Sequence, residues 1–181
     1  MTNLLKFGQP LGGIMQIAYT VPDIHTALKH YTENLKIGPF FLFEHFPLMN
    51  VRYRGQPSDV DITLALGFSG SMCFELIQQN NDVPSVYLEK QRQHGWGFHH
   101  FAISSMDFDA DLAAYRARGI EEAFYVEVAL GSRAAYVDTT PGLPGMIEII
   151  ELTPDVENFF ATLKAAADNW DGRDPVREFK F

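Results

Sequence analysis

Four side chains have the types and spacing for shared chemistry: Gln16, Glu75, His100 and Glu148. Gln16 opens the run Gln16-Ile17-Ala18-Tyr19-Thr20, and His100 opens His100-Phe101-Ala102-Ile103-Ser104, 84 positions later (100 − 16). The same shift, without a gap, lays Asp23 on Asp107, Leu28 on Leu112 and Tyr31 on Tyr115. Glu75 sits in Phe74-Glu75-Leu76-Ile77-Gln78 as Glu148 sits in Ile147-Glu148-Ile149-Ile150-Glu151, a carboxylate inside an apolar strand pattern each time. A buried carboxylate is costly unless it is neutralised, hydrogen-bonded or bound to a metal. One amide, one imidazole and two carboxylates form an O/O/O/N set for a divalent cation with open or water-filled positions, and Zn, Ni, Co, Mn and Mg all suit it. Taken singly, each glutamate is as easily a solvent-facing residue of a half-buried strand. His99 competes with His100, and the match to Gln16 decides for His100.

The elements that must bring these residues together follow from the apolar periodicity. Breakers at Pro10-Leu11-Gly12-Gly13 place the first strand at Ile14 to Val21, with Met15, Ile17, Tyr19 and Val21 on one face and Gln16, Ala18 and Thr20 on the other. Pro22-Asp23 opens a helix carrying Ile24, Ala27, Leu28, Tyr31 and Leu35, which Gly38-Pro39 stops. A strand at Phe40 to Phe46 precedes a loop from Pro47 to Ser58, with a short strand around Val51 to Tyr53. Asp61 to Phe68 and Ser71 to Gln78 then form a hairpin joined at Ser69-Gly70. After a connector with a short helix at Val86 to Gln93, the order repeats. It runs strand 98–104, helix 107–118, strand Ala123 to Val128, a turn at Gly131, strand Arg133 to Asp138 and strand Met146 to Leu152. Thr153-Pro154-Asp155 opens a last helix to Asp168, followed by a tail that lies on this domain or on a partner subunit. The expected fold is α+β, with tandem βαβββ modules forming a cupped, barrel-like mixed sheet. Within one domain of residues 1–181, module one spans 14–79, module two 97–153, and the C-terminal helix and tail 154–181.

Composition removes several function classes. A net charge of −9, with 14 scattered Lys and Arg, disfavours the phosphate contacts on which nucleic-acid binding depends. No apolar run approaches the roughly 18 residues of a membrane span. The single cysteine, Cys73, cannot make an internal disulfide, and the start Met-Thr-Asn-Leu-Leu-Lys has no basic region ahead of a long apolar core. The expectation is a cytoplasmic protein without nucleic-acid or membrane partners. Of the aromatic cluster Phe40, Phe41, Phe43, Phe46 and Trp96, most should be core, and part could line an apolar pocket.

At Gln16 through Asp23, Gly97 through Ala102 and Gly145 through Glu151, in duplicated order, the chain resembles the vicinal oxygen chelate (glyoxalase/bleomycin resistance/dioxygenase) superfamily, notably glyoxalase I and methylmalonyl-CoA epimerase. The resemblance implies a cupped sheet around a metal, with Gln16, Glu75, His100 and Glu148 in the family's ligand positions, and often a homodimer. It implies a metal-dependent isomerase, epimerase or lyase that abstracts a proton next to a carbonyl, acting on a small molecule such as a thioester or hemithioacetal. Glu148 is the implied catalytic base, with Glu75 or Glu44 as catalytic partner. Thr20 and Trp96 stand where glyoxalase I carries glutathione-binding arginines, and Leu48 or Met49 where the epimerase carries a second acid. Gln16 replaces the first histidine of the extradiol dioxygenases, which lowers that chemistry. The alternative is a non-catalytic small-molecule binding protein of the same fold, of bleomycin-resistance type.

Overall fold

The computed structural model describes residues 3–140 and 142–179. β1 (Ile14–Thr20) leads to α1 (Ile24–Glu33), β2 (Phe40–Phe43), β3 (Leu48–Tyr53), β4 (Gln56–Pro57), β5 (Ile62–Ser69) and β6 (Met72–Gln79). After α2 (Val86–His94) come β7 (Gly97–Ser105), α3 (Phe108–Ala117), β8 (Glu122–Val128), β9 (Ser132–Val137) and β10 (Met146–Glu151), then α4 (Pro154–Asp168) and β11 (Val176–Glu178). All these strands join one mixed sheet in the order β11-β2-β5-β6-β1-β7-β10-β9-β8-β3-β4. Its halves mirror each other about the antiparallel β1–β7 pair, with β6 parallel to β1 and β10 parallel to β7. The sheet is curved and unclosed, in keeping with the expected α+β fold of paired βαβββ units. Among the described residues no helix is long and apolar enough to cross a membrane.

The sequence repeat has a physical cause at each matched position. Asp23 and Asp107 are the N-caps of α1 and α3, accepting from the backbone N–H of Thr26 at 2.7 Å and of Ala110 at 3.1 Å. Each satisfies a donor that the helix start leaves unpaired. Leu28 and Leu112 anchor the two helices in separate apolar clusters, with Tyr31 and Tyr115 packed against them. Those clusters lie on the outer face of the sheet. The larger cluster lies on the inner face, where α4 covers it with Val156, Phe160 and Leu163. Met15 departs from strict alternation. It lies where the β1–β7 register shifts between Ile14 and Gln16, and it packs in the inner cluster instead of with Ile17 and Tyr19.

Three expectations need correction. The Pro47–Ser58 stretch is a hairpin, with β3 and β4 turning at Arg54-Gly55, both at positive φ (45° and 78°). β3 leaves its own module to pair with β8, Leu48 opposite Val128 and Tyr53 opposite Phe124. The strand starting at Phe40 stops at Phe43, because Glu44-His45 turns the chain with His45 at φ 48°. The β5–β6 turn is Gly70-Ser71, one residue later than expected, since Ser69 pairs with Met72. The tail lies on this chain, where β11 runs parallel to β2 with Val176 opposite Phe40. Trp170 packs over Gly38, where an added Cβ would meet the indole ring at 3.0 Å.

Candidate metal centre

Strand register brings the candidate residues together. Across β1 and β7, Gln16 pairs with Ala102 and Ala18 with His100, while Glu75 pairs with Ala18 and Glu148 with Ala102. Both alanines are buried, and their small side chains leave the inner face free for the longer ones to converge. The glutamates lie 73 positions apart (148 − 75), 11 fewer than the 84 separating Gln16 and His100, because module one contains the added β3–β4 hairpin. At the entry to β10, Gly145 has φ 80°, and a Cβ there would stand 2.6 Å from the His99 carbonyl oxygen. Glycine therefore lets β10 close on β7 and sets the height of Glu148 beside His100.

Glu75, His100 and Glu148 place one ligating atom each within 4.8 Å of one another, and all three residues are buried. His100 Nε2 stands 3.1 Å from Glu148 Oε2 and 3.5 Å from Glu75 Oε2, yet among the described residues it makes no hydrogen bond. Gln16 Nε2 donates to Glu75 Oε2 at 2.9 Å and reaches Glu148 Oε2 at 3.5 Å. Gln16, expected as a fourth ligand, is thus in the group but presents its amide nitrogen. Burial, with the neighbouring Glu148 charge adding to it, pushes the Glu75 carboxyl well above the usual carboxylate range. The two carboxylates face each other with the Gln16 amide and the His100 ring beside them, and a cation placed among them would relieve their repulsion.

The proton pattern of the histidines follows from their partners. The Val86 carbonyl can only accept, so His99 Nε2, at 3.2 Å, carries a hydrogen. Burial, then the adjacent His100, holds His99 well below the usual histidine range, so its ring is neutral and its Nδ1 is a lone pair. His100 Nδ1, 2.8 Å away, must donate to it. With Nδ1 turned to His99, Nε2 is the His100 nitrogen aimed at the two carboxylates. One imidazole nitrogen and two carboxylate oxygens converging in a buried space form a donor set suited to a shared divalent ion.

A cavity opens from this group, with about 790 Å³ of atom-free space that includes some open solvent. Its inner end is formed by Gln16, Glu75, Glu148, Tyr87 and Tyr136. The walls include Leu64 and Leu66 of β5, Val126 and Val128 of β8, and Phe160 of α4. Of the expected aromatic cluster, Phe46 lines the cavity, Phe40, Phe41 and Phe43 are core, and Trp96 is exposed. Leu48 also lines it, whereas Met49 is exposed. Glu44 is exposed on the turn after β2 and is not brought to the group. Tyr136 and Tyr87 were not singled out from sequence. Tyr136 lies opposite Glu148 across β9 and β10 and meets the His100 ring edge-on at 4.7 Å, with the Tyr87 hydroxyl 3.4 Å from its own. The alternation of β9 marks Tyr136 as inward-facing, but only the β9–β10 register sets it beside Glu148.

Comparison with solved structures gives similar folds at low identity. A hypothetical protein from Bacillus halodurans matches with a TM-score of 0.59 at 20% identity, over 78% of this chain and 94% of that one. Methylmalonyl-CoA epimerase from Mycobacterium tuberculosis matches at 0.56 and 16%, over 87% and 96%. A variant of the Streptomyces coelicolor methylmalonyl-CoA epimerase, in complex with 2-nitronate-propionyl-CoA, matches at 0.55 and 18%, over 80% and 96%. These likenesses show the fold. No curated protein matches the chain. A family model matches residues 15–136, a span that runs from the strand of Gln16 through His100 to Tyr136, and the chain belongs to the Glyoxalase/Bleomycin resistance protein/Dioxygenase superfamily.

Proposed function

We propose that the chain is a metal-dependent isomerase, epimerase or lyase that moves a proton on the carbon next to a carbonyl. The observation that carries this reading is His100 Nε2, buried, without a hydrogen bond among the described residues and facing two carboxylates at the end of a cavity. Glu75, His100 and Glu148 would hold the ion, and Gln16 would join them through its amide oxygen once the amide turns over. A divalent ion there supplies Lewis-acid polarisation of a carbonyl oxygen, which makes the adjacent C–H more acidic. Glu148 is the group that takes this proton, at the inner end of a cavity whose walls are largely apolar. Return of the proton by Glu148 to a neighbouring carbon gives isomerisation. Return by a second carboxylate on the opposite face, for which Glu75 is the candidate, would give epimerisation. Glu44, outside the cavity, takes no part. A structure of similar fold is a methylmalonyl-CoA epimerase in complex with methylmalonyl-CoA, and a thioester is one member of the carbonyl class.

The apolar walls also favour a second reading, a binder that holds a small molecule without turning it over. Metal analysis combined with solvent deuterium exchange separates the two. The enzyme reading expects about one divalent ion per chain, lost in His100→Ala and diminished in Glu148→Gln. It also expects deuterium at the acidic carbon of a bound carbonyl compound. Stoichiometric ligand binding with neither metal nor exchange would overturn it in favour of the binder.

A further inference from the structure

The cavity at the candidate metal centre has a one-sided polarity that bears on what it accepts. Its ionisable lining groups, Glu75, Glu148, Tyr87 and Tyr136, gather at the inner end. Ser132, also in the lining, spends its hydroxyl on the Glu151 carbonyl at 2.7 Å. From that end outward the described walls are hydrocarbon, and none of the described lining residues is lysine or arginine. Two cations among the described residues near the covering elements are committed elsewhere. Lys6 donates to Asn158 at 2.6 Å and pairs with Glu157 on the far side of α4. Arg133 lies over the Phe108 ring and is held by Glu151 and Asp109. An anion held between the walls, away from the inner end, would have no counter-charge among the described lining residues, and the chain's net charge of −9 repels anions at a distance as well.

We infer that the cavity takes an uncharged, largely hydrocarbon ketone or aldehyde, with its carbonyl at Glu75, His100 and Glu148 and its apolar body between β5, β8 and α4. Anionic carriers such as coenzyme A and glutathione are disfavoured as part of the ligand. This rests on the proposed carbonyl chemistry for the placement of the oxygen, and on the wall composition alone for the exclusion of charge. The cavity has room for several waters, which a ligand would displace from apolar walls. Displacing poorly held water from apolar surface favours an apolar occupant.

The test uses the full chain, loaded with Zn or stripped with chelator, and N-phenyl-1-naphthylamine, a neutral fluorophore, as the reporter. Competitors are 1-tetralone, its hydrocarbon analogue tetralin, hexanoyl-coenzyme A and S-hexylglutathione. The expected result is bound fluorophore displaced by tetralone at concentrations at least tenfold below those needed for either charged competitor, with or without metal. Tetralone should outcompete tetralin in the Zn-loaded chain, and this advantage should vanish in His100→Ala. Val128→Lys, which places a cation in the wall, should narrow the gap between neutral and charged competitors, and Val128→Met should leave it unchanged. Displacement by hexanoyl-coenzyme A or S-hexylglutathione at equal or lower concentration overturns the inference, as does failure of the fluorophore to bind. Neutral selectivity without a tetralone advantage over tetralin instead overturns the metal-centred reading and leaves the exclusion of charge standing.

Discussion

At the scale of residues, the group at the centre of the sheet was legible because it is duplicated. Gln16 and His100 share one alignment, Glu75 and Glu148 another, and strand register brings all four together. His99 was legible only as a rival to His100. Its position behind the ligand depends on α2, whose Val86 carbonyl fixes its tautomer, and nothing local to Gly97-Phe98-His99-His100 reveals that contact. The chain of hydrogen bonds from Val86 through His99 to His100 would make His99 a positioning residue for an ion held as proposed. Replacing it with Phe keeps an aromatic ring beside Tyr87 but removes the acceptor for His100 Nδ1. Loss of such a partner lowers metal affinity roughly 10- to 100-fold. His99→Phe is expected to show that loss in competition against a chromophoric chelator, with its far-UV spectrum unchanged. An affinity equal to that of wild type would remove His99 from the centre. Gly145→Ala should destabilise the chain and disturb the centre together, because a Cβ at positive φ would push β10 off the His99 carbonyl. Thermal unfolding and metal titration on the same sample check both effects.

Among the elements, those built on local signals were readable and those built on distant partners were not. The two N-caps, the helix anchors Leu28 and Leu112, and the β5–β6 hairpin all have their determinants within a few residues. β3 does not. Its pattern is weakly amphipathic, and its partner β8 lies in the other module, so the pairing is a matter of tertiary packing. What fixes the β3–β4 hairpin is Arg54 in its turn. The guanidinium donates to Glu89 of α2 at 2.7 and 2.9 Å and to Asp138, just after β9, at 2.7 Å. Burial works to raise the Asp138 carboxyl, but hydrogen bonds from Thr140 and Arg54 outweigh it and hold the group at about 2, against an ordinary 3.8. Because the folded value is depressed, the stabilisation is present above the unfolded value and is lost as pH falls from about 4 toward 2. The difference corresponds to roughly 2 kcal/mol at neutral pH. Asp138→Asn should therefore lower stability at pH 7 and flatten its fall between pH 4 and 2, as read by urea denaturation across that range. Arg54→Ala should cost about 1–3 kcal/mol at neutral pH by removing the cation shared by the two carboxylates, which keep only their bonds from Tyr53, Thr140 and Lys90. A pH profile in Asp138→Asn that runs parallel to wild type would show that the hairpin is held by other contacts.

For the whole molecule, the doubled βαβββ plan was visible in the sequence, while the closing of one sheet edge by β11 and the extension of the other by β3 and β4 were not. The centre joins the halves of this plan. Gln16 and Glu75 come from β1 and β6 of one module, His100 and Glu148 from β7 and β10 of the other, so an ion bound there ties two folding units. Without it, Glu75 and Glu148 oppose each other in a buried space, and burial alone already disfavours the Glu75 charge. Because the assembled site exists only in the folded chain, metal binding free energy becomes folding free energy. At free metal about 1,000-fold above its dissociation constant the gain is about 4 kcal/mol, which for a chain of this size raises the midpoint of thermal unfolding by roughly 8–16 °C. Calorimetry of the chelator-treated and reloaded chain checks this, and a single transition should move as one because the ion engages both modules. Glu75→Gln separates the two origins of the effect. It removes one of the opposed charges, so the metal-free form should gain stability while the response to metal shrinks. If wild type showed no rise on loading, or Glu75→Gln lost stability without metal, the carboxylates would be serving the fold as hydrogen-bonded groups and not as the two halves of a metal clasp.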